Sequence, residues 1–263
     1  MGDPPRSPDL AALPVECVLV IDSGYSHTTV TPVYQGRPIQ QAVRRLDLGG
    51  KFLTNYLKET MSIRQMDVRD ETHLINQMKE DVCYVSRDFK VDLESVGRGP
   101  LAVKKKPSTE KDDIVVDFVL PDYSTRMRGE VRPHDPSTMA MRTKLGAVPG
   151  VGGVKEYIMA VGNERFTVPE LLFNPGDIGM KQAGLPEAVM QSLSGLPQGL
   201  WPSMLSNILV VGGNAKFPGF IERLYVVFMS SLGCPNQGPT ELWRSVSSHQ
   251  LSALCGSRSH LST

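Results

Sequence analysis

Two short stretches hold the residue types from which a ligand site is built. Val18-Leu19-Val20-Ile21 is an apolar run ending in Asp22-Ser23-Gly24, and Ile208-Leu209-Val210-Val211 is a second, ending in Gly212-Gly213-Asn214. Runs of this length suit buried strands, and the glycines after them let main chain approach a ligand closely. In a mostly parallel sheet, turns at the carboxyl ends of strands line the ligand crevice. Both turns are therefore expected on one nucleotide cleft, of which this chain carries half. His73, His134, His249 and His260 have no metal-ligand spacing, and no nucleophile triad is visible.

The bulk properties narrow the rest. Lys+Arg and Asp+Glu are both 28, so nothing global draws the chain to nucleic acid or an acidic membrane. Cys17, Cys83, Cys234 and Cys255 form no C-x-x-C pair, and Cys17 and Cys83 sit among apolar residues. Free thiols in a reducing compartment are expected. Residues 1–14 have no apolar core of a secretory signal, and no apolar run approaches the roughly 20 residues that span a membrane. The chain reads as intracellular and soluble, with no membrane partner.

The elements that must position the two turns follow in order. Residues 1–14 read as a disordered tail. Strands are expected over 17–22, 28–34 and 39–46, with Gln35-Gly36-Arg37-Pro38 turning the chain between the last two. Leu48-Gly49-Gly50 opens a helix with Phe52, Leu53, Tyr56, Leu57 and Met61 at helical spacing. Asp70 is placed to cap a second helix, with Glu71 in its first turn. Its apolar stripe is Leu74, Ile75, Met78, Val82 and Val85, and Lys79, Glu80 and Asp81 lie mostly off it. Residues 90–112 read as a loop with a Lys104-Lys105-Lys106 run. Ile114–Leu120 is a strand. Residues 123–153 have no clear period and read as a flexible insert before a strand over 156–161. Phe166–Phe173 leads into an Asn174-Pro175-Gly176-Asp177 turn, and Pro186 starts a helix through Leu193. Pro218-Gly219 opens a helix with Phe220, Ile221, Leu224, Tyr225, Val227 and Phe228 inward. Residues 230–263 lose any period and read as a disordered tail.

The order of these motifs resembles the second half of actin. Asp22-Ser23-Gly24 comes first, then Arg45 through Leu57, Lys79-Glu80-Asp81-Val82-Cys83-Tyr84-Val85 and Asn163-Glu164-Arg165-Phe166. Pro169 through Pro175 and Gly212 through Gly219 complete the set. Asp70 through Gln77, Leu120 through Thr125 and the insert are similar to a nuclear branch of actin-related proteins. The resemblance implies an α/β, actin-like (ribonuclease-H-like) half-fold, truncated at both ends. Residues 15–48 and 161–229 would form a large-lobe scaffold of subdomain 3 type. Residues 49–160 would form an inserted smaller lobe of subdomain 4 type. The family's first phosphate loop and its closing segment are expected to be missing.

The same resemblance implies the site. Asp22 would hold the water on Mg²⁺, a cation that binds through few carboxylates and keeps several waters. Gly24 would bring backbone N–H groups to a phosphate, beside Ser23. Lys79 and Glu80 would lie at the adenosine, Gly212 and Gly213 would allow close approach, and Phe217 would stack near the base. ATP or ADP with Mg²⁺ is the implied cofactor. Each residue also has a plainer role. Asp22 suits a strand-end turn that bonds its own backbone, Lys79 and Glu80 a solvated helix face, Phe217 the core, and Gly212-Gly213 a tight turn. Lys104–Lys106 suits a solvated loop.

Departures from the family pattern argue against hydrolysis. Tyr25 and Ser26 replace an acid and a glycine of the phosphate loop. Thr29 stands where actin has a water-orienting histidine, and His27 is displaced two positions along the strand. Phosphoryl transfer needs in-line positioning and several charge-stabilising groups together, so no catalytic residue is assigned. The implied function is a non-catalytic subunit of a nuclear remodelling complex that exchanges a variant histone into nucleosomes. Its partners would be a zinc-HIT protein and the motor ATPase, with the nucleosome reached through the complex. Competing expectations are an actin-like ATPase, a cytoskeletal actin, or a non-functional truncated gene product.

Overall fold

Strand β1 (Cys17–Ser23) is the centre of the larger sheet because it can be covered on both edges. It pairs antiparallel with β2 (Thr28–Tyr34), from Cys17 opposite Tyr34 to Ser23 opposite Thr28. Leu19 and Ile21 point to one face and are fully buried, as period-two alternation requires. These facts come from a computed structural model, which describes residues 16–96, 114–124, 126–135, 147–149, 155–231 and 244–245.

Gln35 and Gly36 both take positive φ, 48° and 76°, and make the two-residue turn into β3 (Arg37–Pro38). Positive φ at both central residues matches the twist of paired strands. The strand expected over 39–46 is broken. A single 3₁₀ turn, Gln40–Ala42, precedes β4 (Arg44–Leu46), which pairs with β2. The break is held from outside the segment: Ser192 Oγ donates to the Ala42 carbonyl at 2.7 Å.

Three helices and the smaller sheet follow. Helix α1 (Gly50–Arg64) buries Leu53, Leu57 and Met61, and α2 (Thr72–Val82) buries Leu74, Ile75, Met78 and Val82. Asp70 does not cap α2; the cap position is Glu71, without a side-chain bond, and Asp70 is exposed. The expected loop from residue 90 instead begins as α3 (Phe89–Val96), entered where Asp88 Oδ1 accepts from the Val91 amide at 3.3 Å. Val91 and Leu93 are exposed, so these two do not seat α3 on the core. Phe89 joins it to the fold, edge-on to Phe166 at 5.8 Å.

The smaller sheet has the order β6-β5-β8-β7, from β5 (Val116–Val119), β6 (Glu130–Pro133), β7 (Ala147–Pro149) and β8 (Lys155–Val161). Strands β6 and β7 lie inside the segment expected to be a flexible insert. They are recognised by partners, not by pattern. Arg126 and Arg132 each reach Glu156 on β8 at 3.0 Å. Burial alone would raise the Glu156 carboxyl, but the two arginines outweigh it and hold it below its ordinary range. Gly129 lies against the Phe118 ring, where any Cβ would be 2.1 Å from Cζ.

The chain then returns to the larger sheet. Helix α4 (Glu164–Glu170), α5 (Leu185–Ser194) and α6 (Trp201–Ser206) precede β9 (Ile208–Val211), and α7 (Phe220–Ser231) precedes β10 (Arg244–Ser245). Helix α6, which no sequence signal announced, buries Met204. The sheet runs β10-β9-β1-β2-β3 with β4 also on β2, and only β10-β9-β1 are parallel. It is therefore mixed, not mostly parallel. Strand β10 falls in the segment expected to lack structure.

Cys17 and Cys83 are free and buried, and burial pushes the Cys83 thiol up to about 12, which leaves it inert. Among the described residues no helix is long and apolar enough to cross a membrane. The tail 1–14, Lys104–Lys106, Cys234, Cys255, His249, His260 and the Phe228 side chain lie outside the described residues.

Candidate functional site

Parallel pairing of β1 with β9 sets Asp22 opposite Val211, so the two glycine turns leave the same end of the sheet side by side. Asn214 joins them. Its Nδ2 donates to Ser23 Oγ at 3.1 Å and to the Gly24 carbonyl at 2.8 Å. Gly212 takes φ +99°, and a Cβ there would lie 2.2 Å from the Ser23 carbonyl oxygen. Close main-chain packing is why glycine stands at 212. Gly213 is different, since a Cβ there would meet nothing within 4 Å. Its missing side chain leaves open space on the cleft.

A cavity of about 310 Å³ opens beside these turns, lined by Tyr25, Gly50, Lys79, Glu80, Gly213, Asn214, Lys216 and Phe217. Four of the eight residues assigned from the family motif line it, Lys79, Glu80, Gly213 and Phe217, while Asp22, Ser23, Gly24 and Gly212 do not. Phe217 is buried and offers the cavity one edge of the core. Tyr25, Gly50, Asn214 and Lys216 line it as well, and sequence reasoning gave them no ligand role. Tyr25 and Asn214 were within reach of it, because each adjoins an assigned glycine.

Lys79 is not on a solvated face. It follows Ile75 by one helical turn and so shares the side of α2 that meets α1. Only 3% exposed, its Nζ donates to the Gly50 carbonyl at 3.1 Å, Thr54 Oγ1 at 3.0 Å and Asn76 Oδ1 at 3.0 Å. All three ammonium donors are thus engaged inside the protein, and burial lowers its pKa. Lys79→Ala is expected to lower unfolding free energy by about 1–3 kcal/mol, the cost of leaving buried acceptors unpaired. Glu80→Ala, at an exposed position, is expected to stay within about 0.5 kcal/mol. Urea titration of the two variants measures both, and equal losses would contradict the clamp.

The phosphate end is closed by its own backbone. The Gly24 amide donates to the His27 carbonyl at 3.1 Å, and the first amides of α1, Gly50 and Lys51, donate to the Gly24 and Tyr25 carbonyls at 3.0 and 2.7 Å. A free helix N-terminus binds anions; these amides are already paired. Ser23 is buried, sharing a bond with Thr28 Oγ1 at 3.0 Å. His27 does not line the cavity, and its buried Nδ1 has no partner among the described residues.

Asp22 is exposed, and among the described residues its carboxylate makes no hydrogen bond or ion pair. It therefore does not have the self-bonded turn conformation that was its plainer role. It remains a single carboxylate. Among the described residues no cluster of three His, Cys, Asp or Glu is arranged to hold a metal ion. The residues present thus fit the nucleoside end of a nucleotide, through Glu80, Gly213 and Phe217. They do not fit a metal–triphosphate end.

Comparison with known proteins agrees with the geometry. Residues 12–231 match the family model described as Actin. The chain is similar to Actin-like protein arp6 of Emericella nidulans, 53% identical over 219 residues, which is 82% of this chain and 45% of that protein. It is similar to Actin-related protein 6 of Neurospora crassa, 50% identical over 211 residues, 80% of this chain and 46% of that one. To Actin-related protein 6 of Drosophila melanogaster it is 45% identical over 207 residues, 78% and 46% of the two chains. The chain spans about half the length of the curated relatives it matches.

Proposed function

This chain belongs to the actin family, and on that premise we propose that it is a non-catalytic actin-related scaffold. Its setting in this reading is a nuclear chromatin-remodelling complex that exchanges a variant histone into nucleosomes. Its direct partners are a zinc-HIT subunit and the motor ATPase, and it meets the nucleosome through the complex.

One observation carries the non-catalytic part. The polar donors around the cleft are engaged in holding it together. Asn214 bonds Ser23 and Gly24, Lys79 bonds three internal acceptors, and the α1 amides bond the loop carbonyls. A site acting on phosphate needs such donors aimed at developing charge. The nuclear part draws on the similarity to proteins named actin-related protein 6.

Two measurements test it. The chain is expected to co-purify stoichiometrically with a tagged zinc-HIT partner, and absence of association would remove the scaffold role. Phosphate release from ATP is expected at the level of an Asp22→Ala control. Release clearly above that control would make the chain an ATPase.

A further inference from the structure

Tyr25 stands where the family's phosphate loop has an acid, and its side chain turns inward across the cleft. Its Cδ2 lies 3.3 Å from the point a Cβ on Gly50 would occupy, alongside Asn214 Oδ1 at 3.2 Å and Lys79 Nζ at 3.3 Å. The ring therefore covers the same patch of α1 that the lysine and asparagine converge on. The main chain that carries it is tied to α1, where the Tyr25 carbonyl accepts from the Lys51 amide at 2.7 Å. Just over half of the residue, 53%, remains exposed, so one side of the ring is offered to the cavity.

We propose that Tyr25 sets the ligand class of this cleft, admitting a nucleoside-sized ligand while excluding the metal-bound phosphate tail that an acid at this position would help to hold. The inference rests on the actin-type cleft described above and adds what that cleft selects.

Three further features agree. The cavity, about 310 Å³, is at the lower end of small-molecule sites, which run from about 300 to 1,000 Å³. Its walls pair aromatic surface, Tyr25 and Phe217, with one exposed carboxylate, Glu80, whose Oε1 is held by Asn76 at 2.8 Å. Flat ring surface plus a fixed acceptor suits a heteroaromatic base and a vicinal diol. Beside the ring the Gly24, Gly50 and Lys51 amides are paired with carbonyls, and among the described residues no group of three His, Cys, Asp or Glu is arranged to hold a metal ion.

The test is calorimetric titration of the 263-residue chain with adenosine, ADP and ATP, each with Mg²⁺ and with EDTA. Adenosine is expected to bind at least tenfold more tightly than ADP or ATP, and EDTA is expected to change none of the three. Tyr25→Asp is expected to tighten Mg-ATP at least tenfold and to leave adenosine within about threefold. Tyr25→Ala, which removes the ring without adding charge, is expected to tighten ATP without making it Mg²⁺-dependent. It serves if the aspartate variant loses its circular-dichroism signature. Wild-type binding of Mg-ATP as tight as that of adenosine, or a tenfold loss with EDTA, would overturn the proposal. So would the absence of binding to all three ligands. None of these outcomes touches association with the zinc-HIT partner, so the scaffold reading stands or falls separately.

Discussion

Gly212→Ala lowers the unfolding free energy of this chain by about 2–6 kcal/mol, combining about 1–3 for a strained backbone with about 1–3 for overpacking. Gly212 takes φ +99°, and its added Cβ would lie 2.2 Å from the Ser23 oxygen, 2.4 Å from the Ser23 carbonyl carbon and 2.9 Å from Asp22 Oδ1. The first two are main-chain atoms of β1, which is fixed between β2 and β9. Neither can move aside as a flexible side-chain end would. The strands must part where Asp22 faces Val211, and the Asn214 bonds to Ser23 and Gly24 go with them. Gly213→Ala is the matched control, since its Cβ meets nothing within 4 Å, and it is expected within about 0.5 kcal/mol of wild type. Urea denaturation followed by circular dichroism separates the two. Equal effects would mean that the corners do not depend on close packing at 212.

Glu170→Ala costs about 3–5 kcal/mol, the range for removing one partner of a buried ion pair. Glu170 is fully buried on α4, and its Oε1 accepts from Arg223 Nη2 on α7 at 3.0 Å and from Asn174. Arg223 also donates from Nη1 to the Arg87 carbonyl at 2.8 Å and lies over the Phe173 ring at 6.0 Å. Truncating the carboxylate leaves this guanidinium largely out of water without its countercharge. Glu170 Oε2 and Arg223 Nε are already buried without partners among the described residues, so the site has no slack to compensate.

The same carboxyl gives a pH signature. Burial raises its pKa above the ordinary 4.5, and Arg223 opposes but does not cancel that rise. The folded state therefore binds more protons than the unfolded chain between 4.5 and the raised value. Stability contributed by this group is present at and below the unfolded pKa and is lost as pH rises through the folded one. Wild type is expected to lose stability relative to Glu170→Gln as pH climbs from 4.5, the reverse of a salt-bridged surface carboxylate. A stability difference that stays flat with pH would show that Glu170 titrates normally.

Much of this was legible from residues alone where a local pattern coincides with a buried face. The β1 run alternates Leu19 and Ile21 into the core, the α1 stripe of Leu53, Leu57 and Met61 is fully buried, and six short motifs in order identify the family. Legibility failed where an element is held by something distant. The expected third strand breaks because Ser192, 150 residues away, takes the Ala42 carbonyl. Strands β6 and β7, of four and three residues, are too short to show a period and form through cross-strand partners. Helix α3 has exposed Val91 and Leu93, and its Phe89 packs on Phe166 from a distant helix.

The linear order of residues, by itself, determined the family, the two strand-and-glycine corners and the chemical types around them. Those follow from properties each segment has alone: apolar runs, glycine freedom and charge. Only the folded chain decided what each polar group does. Asn214 meets Ser23 across 191 residues and Lys79 meets Gly50 across 29. A donor facing a protein acceptor is no longer free for a ligand, and that choice is made by packing.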